Sequence, residues 1–179
     1  KFLSNVAIEI VLSASPELWE VYSASSFMCR SMDFIKKKFG AEDTTKAYPI
    51  YNVFSITSTD LLMYKLFNEI KTTVRDNLGH EQPLWMQAWL NFQTKDNLLN
   101  WHNHLWDWHG YVCIDPKNTK TIFENFEIEN KIGQIYFGEG HKLHKVEAVE
   151  PFGGHRITIG YDITAQVNVP FGNTGLIPI

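Results

Sequence analysis

Residues 85–93 read Trp-Met-Gln-Ala-Trp-Leu-Asn-Phe-Gln, a stretch in which two kinds of side chain alternate. Successive side chains of a β-strand point to opposite faces, so the apolar residues would share one face: Met86, Ala88, Leu90 and Phe92. The other face would carry Trp85, Gln87, Trp89, Asn91 and Gln93. The first face suits packing against helices, and the second, aromatic and amide-rich, suits the wall of a wet pocket. The stretch therefore predicts a strand between a helical layer and a polar site.

Short strands are predicted throughout the region that follows. The candidates are residues 99–104, 110–114, 120–128, 132–137, 144–149 and 156–163. Turn-forming segments separate several of them, namely Asp-Pro-Lys-Asn, Gly138–Gly140 and Pro-Phe-Gly-Gly. Regular short strands after a helical region predict a sandwich or barrel backed by helices.

The first half of the chain is expected to supply that helical layer. We predict strands at 6–12 and 51–56, a helix that opens at Pro16, and a second helix that begins after Ser58-Thr59-Asp60 and ends at Gly79. Apolar residues recur in the second helix at helical spacing: Met63, Phe67, Ile70, Val74 and Leu78. We expect one domain, with helical support and edge strands in 1–84, a β core in 85–165 and a C-terminal tail in 166–179.

Composition excludes several function classes. The chain has 179 residues and a net charge of −4, so it lacks the basic footprint of a nucleic-acid-binding protein. No stretch is long and apolar enough to predict a membrane span, and no signal peptide is expected. Two distant cysteines are typical of a reducing compartment, so we predict a cytoplasmic location.

Histidines are concentrated in the second half of the chain, where six of the seven lie between His102 and His155. His102 and His104 are two residues apart, so in a strand both imidazoles would face the same side. Imidazole binds iron, zinc, copper and nickel, and the spacing alone does not choose between them. His-Asn-His also invites comparison with HNH nucleases, but their motif residues are dispersed through a ββα-metal unit and this chain lacks a basic groove.

A third metal ligand is expected from a later strand. His144 begins a new alternating stretch, where a side chain can be held inward, whereas His141 follows Gly140 in a predicted loop. We therefore favour His144 as the third ligand.

Arg156 and Thr158 are also two residues apart and share a strand face. A guanidinium beside a hydroxyl can bind a carboxylate with several hydrogen bonds. An ordinary surface ion pair would explain an isolated Arg, but this Arg lies about a dozen residues after a candidate metal ligand. The pair therefore predicts a site for a chelating acid.

Several segments together resemble the iron(II)- and 2-oxoglutarate-dependent oxygenases, in particular oxygenase families of viruses and marine bacteria. The matching segments are Trp89-Leu-Asn91, Trp101-His102-Asn-His104, His109-Gly110-Tyr111-Val112, Gly133-Gln-Ile-Tyr-Phe137, His144 and Arg156-Ile-Thr-Ile-Gly-Tyr-Asp162. The resemblance covers residues 85–163. It implies an α+β, mainly β fold, a double-stranded β-helix or jelly roll with helices on one sheet, and a host-cytoplasm location if the source is viral.

The resemblance also implies roles for individual residues. His102 and His144 would bind Fe(II), and Arg156 with Thr158 would bind the far carboxylate of 2-oxoglutarate. The family's commonest pattern has Asp or Glu two residues after the first His, but position 104 is His. Either His104 completes a three-His site or Asp107 supplies the carboxylate, although Asp107 lacks the required spacing.

The implied reaction is hydroxylation of a small molecule or peptide with release of succinate and CO2, with no catalytic residue beyond the metal site. Asn91 would contact the co-substrate, and aromatic residues would line the substrate pocket: Trp89, Trp101 and Tyr111. Two other functions fit the same residues. One is a three-His cupin-type dioxygenase that does not use 2-oxoglutarate, and the other is a non-catalytic jelly-roll binding module with structural or zinc-bound histidines.

Overall fold

Two antiparallel sheets form the centre of the protein. The computed structural model describes residues 8–11, 33, 37, 45, 48–79, 82–165 and 175–179. The helical elements in these ranges are a 3-10 turn at Tyr48–Ile50, α1 at Val53–Ile56 and α2 at Leu61–Leu78. The strands are β1 (Ile8–Val11), β2 (Trp85–Gln93), β3 (Trp108–Asp115), β4 (Thr119–Phe123), β5 (Glu127–Glu129), β6 (Gln134–Glu139), β7 (His144–Ala148), β8 (Arg156–Thr164) and β9 (Ile177–Pro178).

The strand order is that of a jelly-roll sandwich, and this confirms the predicted fold class. The larger sheet has the order β1-β6-β3-β8-β2-β9 and the smaller sheet the order β5-β4-β7, with every pairing antiparallel. The small sheet is extended at His102, which exchanges two backbone hydrogen bonds of 2.9 Å with His144. The chain before His102 therefore runs beside β7.

The larger sheet separates two cores. Its outer face packs on α1 and α2 through buried residues such as Met86, Leu90 and Ile159. Its inner face meets the small sheet through a smaller buried cluster that consists of Tyr111, Cys113, Phe123, Ile128 and Tyr136. The alternation predicted for residues 85–93 is confirmed, because β2 spans this stretch and Met86, Ala88 and Leu90 pack on the helix side.

Helix α2 has both ends that the sequence predicts. Asp60 accepts hydrogen bonds from the backbone N–H groups of Leu62 (2.9 Å) and Met63 (3.0 Å). Gly79 ends the helix with φ at +64°, a conformation that glycine adopts without strain. Of the predicted core positions, Met63, Ile70 and Val74 are buried, and Phe67 and Leu78 pack partly buried against the same core. No helix in the described part of the chain combines the length and apolarity needed to cross a membrane.

Three strand predictions are corrected. Residues 51–56 are not a strand, because Asn52 caps α1 by accepting a hydrogen bond from the N–H of Phe54 (3.0 Å). Such a short apolar run does not distinguish a strand from a helix. Residues 120–128 form β4 and β5 with a turn between them, and 99–104 contains only the bridge at His102. Most of the helix predicted from Pro16 and most of the tail, residues 166–174, lie outside the described residues.

We expect Asp60→Ala to lower the free energy of unfolding by about 1 kcal/mol, since it removes the side-chain acceptor of two helix N–H groups. Chemical denaturation followed by circular dichroism measures the change. Asp76→Ala is the matched control. Asp76 lies in the last turn of α2, where a negative charge interacts unfavourably with the helix dipole, so its removal should not destabilise the helix. Equal losses in both variants would contradict the capping role.

Candidate metal centre and anion site

A cavity of about 460 Å³ opens between the sheets and contains most of the predicted site residues. The sequence-predicted residues that line it are Trp89, Asn91, His102, His104, Tyr111, His144, Arg156 and Thr158. The inner faces of β2, β3 and β8, the start of β7 and the segment before β3 supply these side chains. Parts of the chain that are distant in sequence therefore share one pocket.

His102, His104 and His144 come together at one end of this cavity. One ring nitrogen from each lies within 4.8 Å of the corresponding nitrogens of the other two. The backbone bridge fixes His102 against His144, and the N–H of His104 donates to the carbonyl of Gly140 (2.8 Å). The backbone thus holds all three residues before any ligand is present.

Hydrogen bonds set which nitrogen each ring leaves available. The Nδ1 atoms of His102 and His144 lie 2.6 and 2.9 Å from the carbonyl oxygens of Asn100 and Lys142. A carbonyl only accepts, so each Nδ1 carries the proton and each Nε2 keeps its lone pair. The Nδ1 of His104 is 3.0 Å from Oδ1 of Asp162, and its Nε2 is buried with no hydrogen-bond partner in the described part of the chain. Three open imidazole nitrogens fit a divalent transition-metal ion such as Fe(II).

Burial favours the neutral form of His102, His109 and His144. It lowers the pKa of His102, lowers that of His144 to about 3, and lowers that of the neighbouring His109 well below its ordinary value. Neutral imidazole is the form that binds a metal, so the rings are ready for an ion at neutral pH.

Arg156 lies in the same cavity with its charge unpaired. The side chain is only 2% exposed, and its Nη1 donates to Oε1 of Gln93 (2.9 Å) and Oγ1 of Thr158 (3.2 Å). Its Nε has no hydrogen-bond partner, and none of the carboxylates in the described ranges forms an ion pair with it. A buried cation in this state is suited to bind an anion.

Thr158 and Asn91 extend this polar surface. Oγ1 of Thr158 accepts from Arg156 and from Nδ2 of Asn91 (3.1 Å), so the hydroxyl hydrogen remains available to a bound oxygen. Oδ1 of Asn91 accepts from Nε1 of Trp89 (3.1 Å) and Oγ1 of Thr45 (2.7 Å). The structure thus gives Asn91 contacts that hold Thr158 and Trp89 in place.

Trp89 and Tyr111 form an aromatic wall of the cavity, and Trp89 can pack closely there because residue 160 is a glycine. The ring of Trp89 covers Gly160, where an added Cβ would lie 2.7 Å from the indole. On the other side of β8, Tyr111 is opposite Gly160 and donates from its hydroxyl to Oδ1 of Asn130 (3.1 Å). Both predicted aromatics therefore face the cavity in fixed orientations.

Trp101 and Asp107 are not brought to the site. Trp101 is 43% exposed with the ammonium of Lys145 5.0 Å from its ring centroid, because it neighbours the inward-facing His102 and points the opposite way. Oδ2 of Asp107 accepts from Oγ1 of Thr164 (2.9 Å) and from the N–H of Ala165 (3.0 Å). Its carboxylate therefore holds the end of β8 and lies outside the groups of close metal-binding atoms among the described residues.

Two residues that the sequence analysis did not select join the cluster. The ring of His109 stacks on His104 with centroids 3.6 Å apart, and Nδ1 of His109 is 3.0 Å from Oδ1 of Asp162. The signal for Asp162 was available, since it shares the strand alternation of Arg156 and Thr158. The other two histidines of the region lie apart, with His141 exposed and His155 stacked on Phe92.

Comparison with known proteins identifies the fold and no closer relationship. No protein-family model matches the chain, and no curated protein matches its sequence. The non-haem monooxygenase ThoJ in complex with nickel superposes with a TM-score of 0.55 and 11% identity, over 89% of this chain and 72% of that one. The α-ketoglutarate-dependent epimerase SnoN from nogalamycin biosynthesis gives a TM-score of 0.54 and 8% identity, over 88% and 76%.

A weaker likeness relates the chain to a 2OG-Fe(II) oxygenase family oxidoreductase from Burkholderia pseudomallei. That superposition has a TM-score of 0.47 and 11% identity, over 64% of this chain and 60% of that one. At such identities the superpositions on ThoJ and SnoN show a shared jelly-roll fold.

Replacing His104 should remove a ligand, whereas replacing Asp107 should not. We expect His104→Ala to raise the Kd for Co²⁺ by more than the roughly 10–100-fold that follows loss of a group supporting a ligand. Asp107→Asn should leave this Kd unchanged, because the carboxylate of Asp107 accepts its hydrogen bonds from the end of β8 and lies outside the histidine group. Calorimetric titration measures both constants. Loss of binding in Asp107→Asn with retention in His104→Ala would reverse the assignment.

The stability of the metal-free protein should fall in acid. Unfolded histidine titrates near pH 6.5, but burial lowers the pKa of His102, His109 and His144 in the folded state. Below pH 6.5 the unfolded chain binds protons that the folded chain excludes, so each histidine lowers stability by roughly 1 kcal/mol per pH unit. We expect denaturant midpoints to fall between pH 7 and pH 4, with a smaller slope in His144→Asn. An unchanged slope in that variant would contradict the burial argument.

Proposed function

We propose that the protein is a non-haem iron(II)- and 2-oxoglutarate-dependent dioxygenase that hydroxylates a small molecule or peptide and releases succinate and CO2. One observation carries the proposal. An unpaired, buried Arg156 lies in the same cavity as three histidines whose free ring nitrogens converge.

The chemistry of Arg156 favours an organic acid as co-substrate. Guanidinium carries five N–H donors in a planar fork, and among the described residues only Nη1 has protein acceptors. Leaving this cation buried without an anion is costly, so a bound carboxylate would stabilise it. The hydroxyl hydrogen of Thr158 offers a further donor on the same side. A dicarboxylate could occupy Arg156 with one end while its other end faces the histidines.

The histidine group favours a metal ion that keeps room for further ligands. His102, His104 and His144 would hold Fe(II), which when bound supplies the redox chemistry of the oxidation. Three neutral imidazoles add no charge to a divalent cation, and Arg156 adds one more positive charge to the cavity. A doubly negative co-substrate such as 2-oxoglutarate offsets much of that excess charge.

The chain's own side chains orient the co-substrate and restrict water. Gln93, Thr158 and Asn91 hold the guanidinium and the hydroxyl in place by a continuous series of hydrogen bonds. Trp89 and Tyr111 close the wall on either side of Gly160. The shared fold with an α-ketoglutarate-dependent epimerase and a non-haem monooxygenase further supports an oxidative reaction.

A second function is favoured by one specific feature: no carboxylate of the described residues belongs to the group formed by His102, His104 and His144. Three-His dioxygenases of the cupin type oxidise a substrate without 2-oxoglutarate. In that case Arg156 would bind the acid group of the substrate itself. A non-catalytic binding module is the third outcome that the following experiment distinguishes.

Supplied with O2 and a reductant such as ascorbate, the iron-loaded protein should convert 2-oxoglutarate to succinate and CO2 even without prime substrate, and Arg156→Ala should abolish this conversion. In the Co²⁺-loaded protein the same variant should weaken 2-oxoglutarate binding by about 2–5 kcal/mol, that is roughly 30-fold or more, because it removes one partner of a buried charge pair. Succinate release and calorimetry are the two measurements.

Arg156→Lys should also bind poorly, since it retains the charge and loses the planar fork. The matched control is Arg75→Lys, because Arg75 donates to the backbone carbonyls of Gln82 and Ile179, and neither it nor those two residues line the cavity. If wild-type protein loaded with iron neither binds nor consumes 2-oxoglutarate, the proposal is wrong. Oxygen consumption without 2-oxoglutarate would then favour the three-His dioxygenase, and no turnover would favour a binding module.

A further inference from the structure

We propose that Asp162 is the positioning residue of the metal centre, which orients His104 and supplies the negative charge that its ligand set lacks. The inference deepens the proposed function and rests on its metal centre, but its test includes a measurement that needs no metal. The carboxylate of Asp162 would thus support the ligand His104 and would not itself bind the metal.

Asp162 is placed by the register of the larger sheet. It lies on the inner face of β8, where it is opposite His109 of β3 and Gln87 of β2. The side chain is 1% exposed, so its carboxylate depends on protein donors. Nδ1 of His104 lies 3.0 Å from Oδ1 and 3.2 Å from Oδ2, and Nδ1 of His109 lies 3.0 Å from Oδ1. One buried carboxylate therefore accepts from two stacked imidazoles.

The open atom of His104 indicates where a metal would bind. His104 belongs to two groups of close metal-binding side chains, one with His102 and His144 and one with His109 and Asp162. In the second group the Nδ1 atoms and the carboxylate satisfy one another. In the first group Nε2 of His104 is buried without a partner, and His102 and His144 also keep an open Nε2. The arrangement favours a metal in the first group and a supporting role for Asp162.

The three candidate ligands are not supported equally. Backbone carbonyls, which are neutral, accept the Nδ1 protons of His102 and His144. Only His104 is backed by a carboxylate, which makes its imidazole a stronger donor and fixes its tautomer. The His104–Asp162 pair would therefore place a negative charge next to the metal, across one imidazole ring.

His109 completes the arrangement from the other side. Its ring lies parallel to that of His104, with an interplanar angle of 9°, and its Nδ1 is within hydrogen-bonding distance of Oδ1 of Asp162. Because both imidazoles donate to it, the carboxylate has little freedom to turn. His109 therefore fixes Asp162, which in turn orients the candidate ligand His104.

The test is Asp162→Asn, which preserves the shape of the side chain and removes its charge. An amide replaces one acceptor oxygen with a donor NH₂ group, and that group would face an Nδ1–H group that also donates. We expect nitrogen-15 NMR of the metal-free wild-type protein to show His104 and His109 as Nδ1–H tautomers. In the variant at least one ring should change tautomer, and the Kd for Co²⁺ should rise roughly 10–100-fold. Asp115→Asn is the matched control, because Asp115 pairs with Lys117 away from the cavity.

Each outcome decides the matter. Unchanged tautomers and unchanged Co²⁺ affinity in Asp162→Asn would overturn the inference, as would weaker affinity without a tautomer change. Two Co²⁺ ions per wild-type chain, one of them lost in the variant, would make Asp162 a ligand and also overturn it. If Asp162→Asn does not fold, the tautomer of His104 in the wild-type protein is sufficient to test the inference. An Nε2–H tautomer would overturn the inference, and an Nδ1–H tautomer would support it.

The same data separate this inference from the proposed function. Normal Co²⁺ binding and the expected effect of Asp162→Asn, without 2-oxoglutarate binding or turnover, would contradict only the dioxygenase. Absence of Co²⁺ binding in the wild-type protein would contradict the metal centre and the inference together.

Discussion

The pairing of β8 with β2 on one side and β3 on the other is the constraint on which the site depends. All nine residues of β8 are buried, and their alternation sends Ile157, Ile159, Tyr161 and Ile163 to the helix side. The polar residues between them face the small sheet. A central strand can bury such residues only where neighbouring strands supply partners. That requirement concentrates hydrogen-bonding chemistry on one face of the sheet.

The register of β8 with β2 and β3 places buried polar side chains of β8 opposite hydrogen-bonding partners. Arg156 lies opposite Gln93, Thr158 opposite Asn91, and Asp162 opposite His109. Each of these cross-strand pairs is also joined by a side-chain hydrogen bond. A shift of one residue along either neighbour would send every polar partner to the apolar side. The anion site and the support of His104 are therefore two ends of one strand, about six residues apart.

The sequence was informative wherever a local rule acted alone. Alternation identified β2, and helical spacing with Asp60 and Gly79 identified α2. Two-residue spacing grouped Arg156 with Thr158, which lie in one cavity. Local rules failed at 51–56, where the cap by Asn52 makes a helical turn of an apolar run. The placement of Trp101 in the pocket overlooked such a rule, because the alternation that turns His102 inward turns its neighbour outward.

The sequence by itself determined a β sandwich or barrel backed by helices, its polar face and the identities of most side chains that meet in the cavity, because these follow from periodicity and residue chemistry. Tertiary structure decided which side chains meet. It directed Asp107 to the end of β8 and brought His109 and Asp162 together behind His104. Sheet register sets these contacts between residues more than fifty positions apart, and no spacing within a single strand encodes the distance between two strands.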